Sequence, residues 1–215
     1  MAVIEIALPK LKKDAQVIQD VDEKVIPGLN VKLTKAGILN GLRGFFVTED
    51  GRDVREDFRE VLVLQWPSAQ HFRDFVASAA FAEFSSGLKQ YSYGPAELKL
   101  LDVAGDGTSI YGKDTAVIEY LAVKPKDASE AGVQSALKKL QSGLSHFGTE
   151  KVVVGSSINL ETQEIAVVSA YTSEAELETV KASAGRQQLL ADIASIANVS
   201  NLVGHVKKEV PLAEQ

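Results

Sequence analysis

The chain has 215 residues, 45% of them hydrophobic and 24% charged, which is enough apolar material for one large or two small domains. Its net charge of -6, spread along the chain, argues against a nucleic-acid partner, which would need a basic patch. The absence of cysteine excludes disulfides, thiolate catalysis and Cys-ligated zinc, haem or iron–sulfur centres.

In chain order, "AVIEIALP" reads as a β-branched strand closed by Pro9. Val17, Ile18, Val21, Val25 and Ile26 then recur at helical spacing, and Pro27-Gly28 should stop or kink that helix. "GILNGLRGFFV" is a strand, Glu49 to Arg52 a turn, and "REVLVLQW" a further strand. Pro67 and Ser68 open a helix predicted to run unbroken through "AQHFRDFVASAAFAEFSSGL". "AELKLLDV" closes the first half. The second half repeats this order. "AVIEYLAV" is a strand, and Asp127 with Glu130 resembles a capping box ahead of a helix striped by Val133, Leu137, Leu140, Leu144 and Phe147. "KVVVGSSI" and "EIAVVSAY" are strands, and Ser173 with Glu176 caps "EAELETVKASAGRQQLLADIASIA". "NLVGHVKKEV" is the last strand.

Both halves therefore read β-α-β-β-α-β. The tetrapeptide AVIE occurs at Ala2 and again at Ala116, and the triplet Ala-Ser-Ala at Ala77 and again at Ala182. The same gap-free alignment sets Trp66 on Tyr171. Two matches in the same order and the same structural slots point to duplication. The first copy should carry its extra residues in the "TEDGRDVREDF" hairpin. The expected division is residues 1–103, a Gly/Asp/Ser/Thr-rich linker at 104–115, and residues 116–215. The fold class is α+β: two ferredoxin-like repeats whose bare sheet faces meet in one intramolecular α/β barrel.

The stretch "LVLQWPSAQHFRDFVASAAFAEF" resembles the strand–Trp–helix signature of the dimeric α/β-barrel, antibiotic-biosynthesis-monooxygenase superfamily. Its members include cofactor-independent oxygenases, polyketide cyclases, isomerases, haem-degrading enzymes and stress-responsive proteins. The resemblance implies a small-molecule cavity between sheet and helices of one repeat. A helix position that is often His in the superfamily falls on Phe75 here and on Val180 in the second half, so no histidine role carries over there.

The candidate acid/base residues are His71, near a helix start, and Tyr93 in "QYSYGP". Each also has a plain reading, His71 as a solvated helix residue and Tyr93 as part of an aromatic lid. Trp66, Phe45, Phe75 and Tyr91 are candidate walls for an apolar or aromatic ligand, or else core. Arg43 sits in an apolar strand, where it reaches solvent or binds an anionic group of the ligand. The three histidines share no HxH or HExxH spacing, so no metal is expected, and no nucleotide or flavin motif suggests a cofactor. The first half, rich in Phe and holding the Trp, is the expected cavity. The expectation is a cytoplasmic protein with no membrane span, a monomer with an internal pseudo-dimer or a homodimer. It would bind a small aromatic or polyketide-like molecule, with cofactor-independent monooxygenase or cyclase chemistry. The alternative is a non-catalytic ligand-binding or stress-responsive protein whose barrel is only structural.

Overall fold

The computed structural model describes residues 2–105 and 107–211. Met1, Asp106 and residues 212–215, which belong to the expected first half, linker and second half, lie outside the described residues. The first half runs β1 (Val3–Leu8), α1 (Ala15–Asp20), a π-helical turn at Val21–Val25, and α2 (Ile26–Lys35). It continues with β2 (Asn40–Glu49), the short β3 (Arg52–Asp53), β4 (Glu60–Trp66), α3 (Ala69–Val76), α4 (Ala79–Leu88) and β5 (Glu97–Val103). The second half runs β6 (Val117–Pro125), α5 (Glu130–Ser142), β7 (Val152–Ser157), β8 (Ile165–Tyr171), α6 (Glu174–Lys181), α7 (Ala184–Ile196) and β9 (Ala197–Val210).

The fold is α+β and its sheet closes on itself. Around the barrel the strands run β2-β4-β1-β5-β7-β8-β6-β9, and β9 pairs back onto β2. Each of these pairings is antiparallel. Closure removes both sheet edges. The first half contributes β2-β4-β1-β5 and the second β7-β8-β6-β9, which is the same order of strands within each half. Two seams join the halves, β5 with β7 and β9 with β2. At the second seam the backbones come close. A Cβ on Gly44 would stand 1.7 Å from the His205 carbonyl oxygen, so only glycine fits there.

Side chains alternate across the barrel wall, as strand geometry requires. Ile4, Ile6, Leu42, Phe46, Val63, Tyr120 and Val168 point inward and fill the lumen. Val3, Ala7, Leu62, Leu64 and Leu100 point outward under the helices of the first half. Leu121, Val123, Val154 and Val167 do the same under α5 and α7. No helix among the described residues is long and apolar enough to cross a membrane.

The structure differs from the sequence expectations in several local features. Of the stop or kink expected at Pro27-Gly28, no stop occurs. The chain takes one π turn, with the Ile26 N–H bonded to the Val21 carbonyl, and α2 restarts with Pro27 in its first turn, where a missing N–H costs nothing. The helix after Trp66 is two helices, because Ser78 leaves the helical conformation and its hydroxyl caps the Phe81 N–H. The helix after Tyr171 breaks in the same way at Ser183, which caps Arg186. Ser129, not Asp127, caps α5, with its hydroxyl on the Gly132 N–H, while Asp127 accepts from the Ser129 N–H. The connecting segment is also more than a spacer. It forms a 3-10 turn at Thr108–Tyr111 whose Ile110 and Tyr111 are buried in the lumen. The extra length of the first half is divided. Leu42 to Val63 spans 21 positions against 15 for Val153 to Val168, while Glu5 to Leu42 spans 37 against 34 for Glu119 to Val153.

Candidate functional site

A cavity of about 530 Å³ lies between the outer face of the first half's strands and its helices α2, α3 and α4. That volume suits a drug-sized ligand. Its walls are mostly aliphatic and phenyl groups, and at its floor is a carboxyl group, Glu5 on β1. Strand alternation explains the placement. Ile4 and Ile6 take the lumen, so Glu5 must face the helices with Val3 and Ala7.

Glu5 is 5% exposed. One oxygen, Oε2, accepts a 2.7 Å bond from the Trp66 indole N–H, and no other partner holds the carboxyl among the described residues. Burial pushes its pKa up to about 7, and the indole hydrogen bond pulls it back only in part. Trp66 is fully buried and itself held by Phe72, edge-on at 6.1 Å, and Phe75 at 5.3 Å. The pair is therefore a fixed carboxyl with one free oxygen in an apolar chamber. It can take or give a proton near neutral pH.

The second half holds the same carboxyl and treats it differently. Val3 faces Trp66 across β1–β4 and Val117 faces Tyr171 across β6–β8, which puts Glu5 opposite Leu64 and Glu119 opposite Ser169. Glu119 is fully occupied. Its Oε2 accepts from Arg186 at 2.8 Å and from Ser169 at 3.3 Å, and its Oε1 accepts from Asn201 at 2.9 Å. Arg186 is buried and stacked 3.8 Å over the Phe147 ring. The residues of the first half at these three places are Leu64, Phe81 and Leu98. All three line the cavity. Where the second half has a filled ion pair, the first half has open apolar space around an unneutralised carboxyl.

The residues singled out from sequence are dispersed. Phe75 lines the cavity and Trp66 stands behind it on Glu5. Tyr91 packs, partly buried, against the same core. Phe45 is partly buried beside Arg43, whose guanidinium is 5.8 Å from its ring. Arg43 is buried and ion-paired to Glu60 and, at 2.5 Å, to Asp22. His71 is exposed, with Nδ1 2.9 Å from the Ser68 hydroxyl, and Tyr93 is 69% exposed; neither is among the cavity's lining residues. His146 is exposed, and His205 contacts Glu174 at 2.5 Å on the surface. No histidine is among the described residues lining the cavity, so its walls offer no axial imidazole to a haem. Among the described residues, no cluster of three or more His, Cys, Asp or Glu is placed to hold a metal ion. Sequence reasoning did not single out Glu5 as chemistry. The usable signal was the alignment of halves, which sets Phe81 over Arg186 and so removes the cation from one of two equivalent acids.

Three solved structures share this architecture over nearly the whole chain. An anthrone oxidase-like protein aligns over 100% of this chain and 96% of its own, at 14% identity and a TM-score of 0.68. The fold is shared. A protein of Fusobacterium nucleatum subsp. nucleatum, described as a "putative monooxygenase", aligns over 97% and 94%, at 12% identity and a TM-score of 0.64. A chlorite dismutase from Candidatus Nitrospira defluvii aligns over 96% and 91%, at 12% identity and a TM-score of 0.57. No protein-family model matches the chain, and no curated protein matches it significantly.

Proposed function

We propose that this is a single-chain dimeric α/β-barrel protein that binds a small, largely apolar molecule in its first half and takes a proton from it with Glu5. In this reading two ferredoxin-like repeats, residues 1–103 and 116–215, are joined by the segment 104–115. The equal strand orders, the paired caps Ser78 and Ser183, and the paired acids Glu5 and Glu119 support it. The observation that carries the function is the Glu5 carboxyl, buried in an apolar cavity with no cation beside it among the described residues.

The reaction is a cofactor-independent oxygenation of an activated aromatic C–H acid. Glu5 accepts the proton as the C–H bond breaks, and the electron pair spreads into the ring system. The resulting carbanion reduces dioxygen, so a ring CH₂ and O₂ become a ring carbonyl and water. The apolar walls favour the delocalised anion over a compact hydrated charge, and the Trp66 N–H fixes the carboxyl's orientation. A cyclisation begun by the same proton removal needs no oxygen.

Anthrone is a suitable probe. Oxygen uptake and anthraquinone formation should be about 10²-fold or more faster with the wild type than with Glu5→Gln. The rate should rise as pH passes about 7, where Glu5 becomes the base. Equal rates in the two proteins would overturn the proton-transfer role. A ligand retained in native mass spectrometry but left unchanged would favour the carrier reading. Phe81→Arg supplies a further test. It puts a guanidinium where Arg186 stands in the second half, which should fill the cavity, pull the Glu5 pKa down and abolish ligand retention. Unchanged retention in that variant would place the ligand elsewhere.

A further inference from the structure

Of the described residues lining the cavity, Glu5 is the single acid and Lys89 the single base. They lie at different depths. Glu5 is buried at the floor, whereas Lys89 is exposed just after the C-terminal end of α4. No carboxylate is paired with Lys89 among the described residues. The segment at Lys10 packs along Tyr93 and the lining residue Gly94. The Tyr93 N–H donates to the Lys10 carbonyl at 2.9 Å, and the Lys10 Cδ lies 3.6 Å from where a Cβ on the lining residue Gly94 would stand. The neighbouring lysines are already engaged: Lys12 donates to the Gln90 carbonyl at 2.6 Å, and Lys32 pairs with Glu83. Ser85 and Ser92 add hydroxyls to the lining near Lys89. A chain of net charge -6 thus carries unpaired positive charge at the entrance of its apolar chamber.

We infer that the ligand is an amphipathic anion, with an apolar body between sheet and helices and a carboxylate-type group held at the rim by Lys89. This rests on the reading of the cavity as the ligand site. The polarity also sets direction. An anionic group at the floor would face Glu5 with no cation to separate them, whereas at the rim it meets Lys89 and water. The reacting C–H end therefore enters first and reaches Glu5.

Two matched fluorescent probes test this. Anilinonaphthalene sulfonate carries a fixed negative charge, and N-phenylnaphthylamine is the same ring system without it. Lys89→Glu should weaken the sulfonate about tenfold and move the neutral probe less than about twofold, with Lys89→Ala in between. Raising salt to about 0.5 M should weaken only the sulfonate. Both probes responding alike, or neither responding, would overturn the amphipathic-anion inference while the cavity reading stands. If both probes bind Phe81→Arg as tightly as the wild type, or neither probe binds the wild type, the cavity reading itself fails.

Discussion

Glu5→Gln should make the protein more stable at pH 8, not less. The Glu5 carboxyl has its pKa pushed up to about 7 in the folded chain, against 4.5 for the free group. Between these values the folded state holds a proton that the unfolded state has released. Stability therefore falls as pH rises from about 4.5 to about 7, and then stays level. The shift corresponds to about 3 kcal/mol lost across that window. Glutamine does not titrate, and its carbonyl can still accept the Trp66 N–H. Near pH 4 the two proteins should melt together. At pH 8 the variant should be ahead by about 3 kcal/mol, or about 6–12 °C in Tm for a domain of this size. Calorimetry at both pH values checks it. A variant that is less stable at pH 8, or whose advantage does not grow with pH, would show that Glu5 is not a buried acid at odds with its surroundings. Combined with lost turnover, the expected result marks a residue kept for what it does and not for how it packs.

Arg186→Leu should do the opposite in the second half. It leaves the Glu119 charge buried, with only Ser169 and Asn201 as partners, and removes the stacking over Phe147. Breaking one side of a buried pair costs about 3–5 kcal/mol. Urea denaturation at pH 7 measures it. Adding Glu119→Gln to Arg186→Leu should recover a large part of that loss, because the stranded charge disappears while the amide can still bond Asn201. A double variant as unstable as the single would mean that Arg186 acts through packing alone. The two experiments together form one comparison: the same carboxyl at equivalent registers, with and without its cation.

Much of the barrel is legible in the sequence. β-branched runs mark the strands, and the two AVIE segments set β1 and β6 in the same register against Trp66 and Tyr171. Hidden from a linear reading are the places where a single side chain outcompetes a pattern. The apolar spacing from Phe72 to Phe84 is continuous, so nothing but the Ser78 hydroxyl reports the break between α3 and α4. The π turn before Pro27 has no propensity signature. At the cavity, aromatic residues and histidines draw attention because their chemistry is familiar, yet α3 buries its Phe72 and Phe75 face and leaves His71 in water. Glu5 reads as one charge within a strand. Its significance depends on Leu64, Phe81 and Leu98 converging from three other elements, and that convergence exists only after folding.

The 3-10 turn between the halves carries one more consequence. Ile110 and Tyr111 occupy the barrel lumen with side chains from both halves around them. A connector that had merely tethered two pre-existing lobes could be cut with little loss. This one behaves as a stopper: severing and removing it would leave a void where two large side chains had been, and water would meet an apolar lumen. The union of the halves is thus written into the core and not only into the backbone, and two separate polypeptides ending at β5 and starting at β6 would lack the piece that seals them.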